Sequence, residues 1–248
     1  MNSTSGNGMT VSHVKFEKIQ FEPKMVSIVK VDLMEDGSVK VAFYGYYNGE
    51  LETMRVMRVD KNTLLRGLVR GTHPEMLFFD CRVGAIMKMG GFWILDIKKI
   101  SLSNVGEDYE DQMEFLSHVE QLEVVNTAHF NLGNILPATH NIPNVSITGE
   151  TICCDEDLAL LATFTRSRTF AIDIAESSTI SYNALIEFLK VTQLKKITLR
   201  NFQGKRKSII GALYVVDDIE RFEFGQKGIT VYRKDGNIIV VDFGKCLL

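Results

Sequence analysis

The stretch Ser181–Asn201, SYNALIEFLKVTQLKKITLRN, carries the most information about the fold. In its first half, four apolar side chains have the i, i+3, i+4, i+7 spacing of one helix face. They are Tyr182, Leu185, Ile186 and Leu189. In its second half, Ile197 and Leu199 alternate with polar residues, which predicts a half-buried strand. The stretch therefore predicts a compact unit of one helix followed by one strand.

Similar units recur from Ile97 onwards. An apolar-x-x-apolar-x-apolar spacing occurs six times, and its middle positions step by 22, 23, 27, 25 and 25 residues. The copies are Ile97/Ile100/Leu102, Val119/Leu122/Val124, Ile142/Val145/Ile147, Thr169/Ile172/Ile174, Leu194/Ile197/Leu199 and Ile219/Phe222/Phe224. Plausible helices fall at Asp108–Ser117, Asn131–Leu136 (ended by Pro137), Cys154–Arg166, Ser181–Val191 and Ser208–Val216. Because such units must stack on neighbours to close a core, we expect a short, irregular strand–helix solenoid with a parallel sheet on one side.

The repeat resembles a leucine-rich repeat without its full signature. A leucine-rich repeat places an asparagine eight residues after the first leucine. Here the recurring polar position comes seven residues after the first apolar one. It is occupied by Asn104, Asn126, Gly149, Glu176, Asn201 and Gln226. An α+β domain with a mixed sheet is the alternative fold.

Antiparallel structure is predicted at both ends of the repeats. Val26–Met34, Val39–Tyr47 and Leu51–Val59 are separated by Asp-Gly and Asn-Gly, which favour tight hairpin turns and predict a β-meander. A short helix follows, capped by Asn62 or Thr63, and then strands at Met76–Val83 and Phe92–Leu102. Ile229–Arg233 and Ile238–Phe243 predict a closing hairpin. We expect a disordered leader at residues 1–20, the meander and first repeat-like strands at 21–103, and the strand–helix repeats with the hairpin at 104–248, as one continuous domain.

Composition restricts the class of protein. The net charge of −3 argues against a general nucleic-acid binder, which normally carries a basic surplus. The sequence contains no run of about 18 apolar residues, so no membrane span is predicted. The polar N-terminus lacks the pattern of a signal peptide. The four cysteines (Cys81, Cys153, Cys154 and Cys246) have no disulfide or zinc spacing. We therefore expect reduced thiols and a cytoplasmic or nuclear location.

Motifs for catalysis or cofactor binding are not found in the sequence. Gly90-Gly91 lies outside any phosphate-binding motif. The five histidines (His13, His73, His118, His129 and His140) lack metal-ligand spacing. A nucleophilic pair of Cys153 or Cys154 with His129 or His140 is conceivable, although nothing in the sequence orders these groups. No catalytic residue, cofactor or metal is therefore expected.

Basic residues are the strongest candidates for a binding surface. Lys196 and Arg200 share the polar face of one strand, and Lys195 precedes them. Further basic residues lie near neighbouring repeats, and the full candidate set is Arg166, Arg168, Lys195, Lys196, Arg200, Lys205, Arg206 and Lys207. Because the polar faces of stacked strands line up, these residues predict a basic stripe for an acidic protein partner. An ordinary solvated face is the competing interpretation.

Three segments resemble the C-terminal regions of nematode F-box-associated proteins. They are Val26–Phe43, Ile180–Leu199 (ISYNALIEFLKVTQLKKITL) and Gly228–Phe243 (GITVYRKDGNIIVVDF). The resemblance implies an opening β segment, irregular strand–helix repeats, a closing strand pair, and a role in substrate recognition for ubiquitin ligases. Family members usually carry an F-box before this region, and Met1–Met25 is too short for one. Direct docking on the ubiquitin-ligase adaptor is therefore not implied.

These observations predict a non-enzymatic protein-binding module. Its partner is another protein with an acidic surface, and neither nucleic acid nor a membrane is expected. The alternative function is a small hydrolase or transferase with a site at the carboxyl ends of the strands, where open parallel sheets usually bind ligands.

Overall fold

The computed structural model describes residues 22, 25–59, 71–86, 97–105, 119–165, 168–202, 206–214 and 216–243, with the side chains of 85, 86, 126–129, 206–208 and 212 excepted. The chain divides into two compact units, Met1–Asp96 and Ile97–Leu248. Both contain open sheets in which antiparallel and parallel pairs occur together. The chain is therefore a mixed α/β protein, as predicted. The predicted leader and the predicted helices near Leu64 and at Asp108–Ser117 lie outside the described residues.

The first unit contains the predicted meander. Strands β1 (Ile28–Leu33), β2 (Val39–Tyr47) and β3 (Glu50–Val59) pair antiparallel in sequence order. Asn48 and Gly49 have φ angles of 51° and 86°, as the tight hairpin turn requires. Strand β4 (Met76–Asp80) lies beside β1 and runs parallel to it. The meander prediction is confirmed.

The strand predicted at Met76–Val83 is too long. It ends at Asp80, and helix α1 (Arg82–Ile86) begins two residues later. The buried Asp80 carboxylate accepts hydrogen bonds from the backbone N–H of Arg82 at 3.1 Å and from its guanidinium at 2.6 Å. These bonds turn the chain out of the strand.

The second unit is built on five adjacent parallel strands. They are β5 (Lys99–Ser103), β6 (Gln121–Asn131), β7 (Asn144–Ile152), β8 (Thr169–Ile174) and β9 (Lys196–Arg200). They lie side by side in sequence order, and each consecutive pair is parallel. The predicted parallel sheet is confirmed.

The fourth copy of the repeat is displaced by two residues from its predicted register. Val145 pairs with Phe170, and Phe170 pairs with Ile197, so Phe170 and not Ile172 occupies the middle position. Thr169, the one polar residue at a predicted first position, belongs to the strand and points to the polar side. The spacing pattern misplaced this copy because Phe170 and Ile172 are both apolar and both buried.

The sixth predicted copy is not the next parallel strand. Strand β10 (Ile219–Phe224) pairs antiparallel with β11 (Gly228–Arg233), which pairs antiparallel with β12 (Ile238–Asp242). It is β12 that lies beside β9, in parallel. The predicted closing hairpin is confirmed. The prediction that β10 is the sixth parallel strand is wrong, because alternation alone could not identify its partner strand.

Short helices connect the strands of the second unit. A 3-10 turn at Leu132–Asn134 leads into α2 (Leu136–Thr139), which is followed by α3 (Asp155–Ala162), α4 (Tyr182–Val191) and α5 (Arg206–Leu213). We predicted that Pro137 ends a helix, and this is wrong, because Pro137 lies in the first turn of α2. The first turn tolerates proline because its N–H groups have no intrahelical acceptor.

Helix α4 follows the prediction at both ends. The Ser181 hydroxyl accepts a hydrogen bond from the Ala184 N–H at 3.2 Å and caps its N-terminus. Its buried stripe is Leu185, Phe188 and Leu189, so Phe188 takes the place predicted for Ile186. The C-terminal carbonyls are bound by Arg233 of β11, whose guanidinium donates to Thr192 O at 2.6 Å and Leu189 O at 3.2 Å. The helix therefore lies on the side of the sheet to which Arg233 points.

Alternation gives the sheet of the second unit one apolar face. Leu122, Ile147, Ile172, Ile197 and Leu199 are fully buried. Phe170 on β8 makes an edge-to-face contact with Phe164, just after α3, at 6.1 Å between ring centroids. Arg233 alternates with the buried Ile229 and Val231 and reaches α4. The described helices α3 and α4 therefore cover this apolar face, which we call the helix face.

The recurring polar position has a conformational role in three copies. Asn104, Gly149 and Asn201 have φ angles of 53°, 117° and 59°. This left-handed region is unfavourable for most side chains and is adopted by Gly and Asn. Asn104 and Asn201 each follow the last residue of a strand. The preference for Asn and Gly thus reflects a sharp turn of the backbone at these positions.

Candidate functional site

Opposite the helix face, strands β5–β9 present a surface of short polar side chains that we call the open face. It comprises Lys99, Ser101, Ser103, Gln121, Glu123, Val125, Asn144, Ser146, Thr148, Thr169, Ala171, Asp173, Lys196, Thr198 and Arg200. These residues alternate with the buried apolar ones, so the two faces follow from the period of two along each strand. Most of them are partly exposed.

The parallel register arranges the open face in rows across the strands. The first row is Lys99, Gln121, Asn144, Thr169 and Lys196. The second row is Ser101, Glu123, Ser146, Ala171 and Thr198. Residues in one row are about 4.8 Å apart, and rows are about 6.6 Å apart along the strands. The face is therefore a regular grid of hydroxyl, amide and charged groups.

Hydrogen bonds fix several side chains of this grid. The Thr169 hydroxyl donates to Asn144 Oδ1 at 2.9 Å, and Asn144 Nδ2 donates to the carbonyl of Glu120 at 3.3 Å. The Thr148 hydroxyl donates to the Val124 carbonyl at 3.1 Å. Each bond joins neighbouring strands, so these side chains are held in place before any partner arrives.

An ion pair closes the carboxyl end of β8 and β9. Arg200 Nη1 lies 2.6 Å from Asp173 Oδ1, and the side chains are 33% and 21% exposed. Asp173 Oδ2 also accepts a hydrogen bond from the backbone N–H of Gly149 at 3.2 Å. Because Asp173 already compensates its charge, Arg200 contributes less to the field above the sheet than its formal charge indicates.

A shallow depression of about 350 Å³ lies on the open face. The polar residues that line it are Gln121, Asn144, Ser146, Thr169, Lys196, Thr198 and Arg200, and the apolar ones are Leu122, Val145, Phe170 and Ala171. Neither aspartate nor glutamate is among the described lining residues. The volume is near the lower end of the range for small-molecule pockets, about 300–1,000 Å³.

The predicted basic residues fall into two groups. Arg168, Lys195 and Lys196 are exposed at the amino ends of β8 and β9, where the Lys196 N–H donates to the Arg168 carbonyl at 2.9 Å. Arg200 lies at the other end of β9, four residues from Lys196, or about 13 Å along a strand. Arg166, Lys205 and the side chains of Arg206 and Lys207 lie outside the described residues. Arg168, Lys195 and Lys196 are called the basic edge below.

Sequence reasoning missed most of the open face. Asn144, Ser146, Thr169, Ala171 and Asp173 come together only through the register of β7 and β8. The displaced fourth copy hid this relation, because its predicted register set Asp173 two residues away from its true row. Alternation within Thr169–Ile174 was the available signal, since it places Thr169, Ala171 and Asp173 on one side.

The cysteines adjoining β7 are poorly suited to nucleophilic attack. Burial raises the pKa of the Cys153 thiol well above its usual value. Burial also raises the pKa of Cys154 to about 11, and its Sγ donates a hydrogen bond to Asp157 Oδ2 at 3.2 Å. Both groups are thiols at neutral pH, and the thiolate is the reactive form. His140 Nδ1 lies 2.9 Å from the Pro137 carbonyl and its ring contacts Phe164, while the His129 side chain lies outside the described residues.

A second depression, of about 590 Å³, lies near the ends of α2 and α3. Its lining includes His140, Leu160, Thr163 and Phe164. No lysine or arginine is among the described residues that line it. A concave surface lined by lysine and arginine therefore distinguishes the open face from this second depression.

Comparison with known proteins gives no assignment: no family model, no curated protein and no solved structure matches this chain. In the described ranges, no three His, Cys, Asp or Glu side chains form a group that could hold a metal ion. The helices described above include none with the length and hydropathy to cross a membrane. Functional inference therefore depends on the geometry of the open face.

Proposed function

We propose that this protein is a non-enzymatic protein-binding module that receives its partner on the open face of the β5–β9 sheet. The observation that carries the proposal is the contrast between the two faces of these strands. One face is apolar and is covered by α3 and α4, whereas the other holds ordered polar side chains around a depression lined by Lys196 and Arg200. In this proposal, one face of each strand packs in the core and the other face contacts the partner.

The arrangement favours recognition of another protein. Short hydroxyl and amide side chains leave the sheet accessible, and their hydrogen bonds to neighbouring strands lower the entropy lost on binding. The basic edge of Arg168, Lys195 and Lys196 favours a partner with an acidic surface, by steering its approach and setting its orientation.

We place the second unit among irregular, leucine-rich-repeat-like strand–helix solenoids, which bind partners on the face of their parallel sheet. The resemblance to F-box-associated proteins makes substrate recognition for a ubiquitin ligase the role we favour, in the cytoplasm or the nucleus. Parallel strands in sequence order, with a helix after β7 and after β8, support this placement.

The test compares charge changes on the open face with charge changes on the exposed surface of α4. The double variant Lys196→Glu/Thr198→Arg alters the open face, and Glu187→Lys/Lys190→Glu exchanges the charges of an exposed ion pair on α4. Affinity purification with quantitative mass spectrometry should show the main partner lost from the open-face variant and retained by the helix variant. Thermal unfolding of both variants should match the unchanged protein, because neither alters a buried residue.

Two results would count against the proposal. Equal recovery of partners by both variants would show that the open face is not the binding surface. Loss of partners by the helix variant alone would move the surface to α4. Ubiquitin-ligase subunits among the open-face-dependent partners would support the F-box-associated role, and their absence would limit the proposal to protein binding.

A further inference from the structure

We infer that the depression around Ala171 is a subsite for one acidic side chain, aspartate or glutamate, of an extended partner segment, with Lys196 as the cation that binds its carboxylate. This inference rests on the proposed function and goes beyond it. It names the chemistry of one contact and the direction in which the partner segment crosses the strands.

The shape of the subsite follows from one small residue. In the second row, Ser146, Ala171 and Thr198 are neighbours, and Ala171 has the smallest side chain of the three. In the column along β8, Ala171 lies between Thr169 and Asp173. Ala171 therefore fills less of the depression of about 350 Å³ than Ser146 or Thr198 does, and we call the space above it the recess. The carboxylate of a partner residue entering this recess reaches the β9 side, where both lining cations are located.

The charge of the subsite depends on Lys196. Arg200 forms its ion pair with Asp173 at 2.6 Å, so its charge is largely compensated. No described residue forms an ion pair with Lys196, whose side chain is exposed. Arg168 and Lys195 add positive potential at the same end of the strands. A carboxylate in the recess is therefore attracted to Lys196.

Hydrogen-bond donors beside Lys196 suit a carboxylate. The Thr198 hydroxyl is the next outward group along β9 and lines the depression. The Thr169 hydroxyl is already donated to Asn144, so it positions its neighbour and does not serve the ligand. Lys196 and Thr198 together offer an ammonium and a hydroxyl on one side of the recess, the donor types that a carboxylate accepts.

Glu123 gives the partner segment a direction. It lies beside Ser146 in the second row, two strands and about 10 Å from Ala171. An acidic group above Glu123 is repelled, and a basic group is attracted. A partner segment in the extended polyproline II conformation advances about 3.1 Å per residue with three residues per turn, so residues three positions apart lie on the same side. Such a segment places its acidic residue over β8 and a basic residue three positions away over β6.

The experiment uses three capped octapeptides and the full-length protein. The first peptide carries one Glu and one Lys three positions apart in an otherwise Ala/Thr sequence, the second replaces Glu by Gln, and the third replaces Lys by Gln. Nitrogen-15 NMR titration follows the backbone amides of Thr169–Asp173 and Lys196–Arg200. We expect saturable shifts there with the first peptide, about fivefold weaker binding when Glu is replaced, and a smaller loss when Lys is replaced.

Variants of the protein separate charge from shape. Lys196→Gln should weaken the Glu/Lys peptide to the level of the Gln/Lys peptide, and Ala171→Leu should abolish its shifts by filling the recess. Glu123→Gln should strengthen the peptide that carries Glu alone. Lys190→Gln on α4 is the matched control and should leave all three titrations unchanged, and far-ultraviolet circular dichroism should show that every variant is folded.

Several outcomes would overturn the inference. One is equal binding of the Glu and Gln peptides, and another is a set of shifts that map outside the two strand segments. A third is the absence of any saturable shift at about 5 mM peptide, a concentration at which even weak specific binding is detected. Failure of this inference is separable from failure of the proposed function. If the open-face double variant loses its partner while Lys196→Gln retains it, the binding face stands and the acidic subsite is refuted.

Discussion

Strand β9 has two faces with different physical roles. Ile197 and Leu199 are fully buried on the helix face, whereas Lys196, Thr198 and Arg200 are exposed or partly exposed on the open face. Neighbouring residues of the same strand therefore contribute differently to stability and to surface chemistry. Substitutions on the helix face should change the free energy of unfolding, and substitutions on the open face should change binding with little effect on folding.

The largest effect is expected for Leu199→Asp. An unpaired carboxylate at a fully buried position should lower the free energy of unfolding by more than about 4 kcal/mol. Thr198→Asp, one residue away on the open face, should change it by less than about 1 kcal/mol. Urea denaturation followed by circular dichroism measures both. A cooperative transition with an unchanged midpoint for Leu199→Asp would contradict the placement of β9.

The two arginines of the two faces provide the next comparison. Arg233 is 7% exposed, and its guanidinium binds three carbonyls at the end of α4. Arg233→Met should cost about 2–3 kcal/mol, because carbonyls near the helix end lose a charged donor. Hydrogen exchange should accelerate in the last turn of α4. An exchange increase spread evenly over the molecule would show that Arg233 does not cap this helix.

A smaller effect separates backbone geometry from side-chain contacts at the recurring asparagines. Asn104 has a φ of 53°. Asn104→Val should cost about 1–2 kcal/mol, since a branched side chain is unfavourable in this region, while Asn104→Gly should be nearly neutral. Thermal unfolding distinguishes the two variants. Equal losses would mean that the asparagine side chain, and not the backbone conformation, determines the residue at this position.

The smallest effect is expected for Arg200→Met on the open face. Its ion pair with Asp173 is partly exposed, so its loss should cost less than about 1 kcal/mol. Arg233→Met should lower the free energy of unfolding more than Arg200→Met does at every salt concentration. The loss caused by Arg200→Met should become smaller as the salt concentration increases. A loss for Arg200 as large as that for Arg233 would contradict the assignment of different roles to the two faces.

Local patterns predicted the elements, and pairing between distant strands determined the site. The turns at Asp36-Gly37 and Asn48-Gly49 and the helix at Tyr182–Val191 could be predicted because they depend on interactions within a few residues. The position of β12 beside β9 could not be predicted, because several apolar strands have the same alternation and only tertiary packing selects among them.

The open face shows the same limit. Lys196, Thr198 and Arg200 were assigned to the polar side of β9 from alternation alone. Asp173 was not expected beside Arg200, because the register of β8 differed by two residues from the predicted repeat. Arg200, predicted as part of a basic stripe, is therefore held in an ion pair, and Lys196 is the main cation of the depression.

The central claim is that the open face of β9 contacts the partner and the exposed surface of α4 does not. A photo-crosslinking amino acid placed at Thr198 tests this claim against the same group at Glu187, whose side chain is 65% exposed on α4. Irradiation of cell extract should give a discrete covalent adduct with the Thr198 protein and none with the Glu187 protein. Adducts of equal yield from both sites, or an adduct from Glu187 alone, would contradict the account.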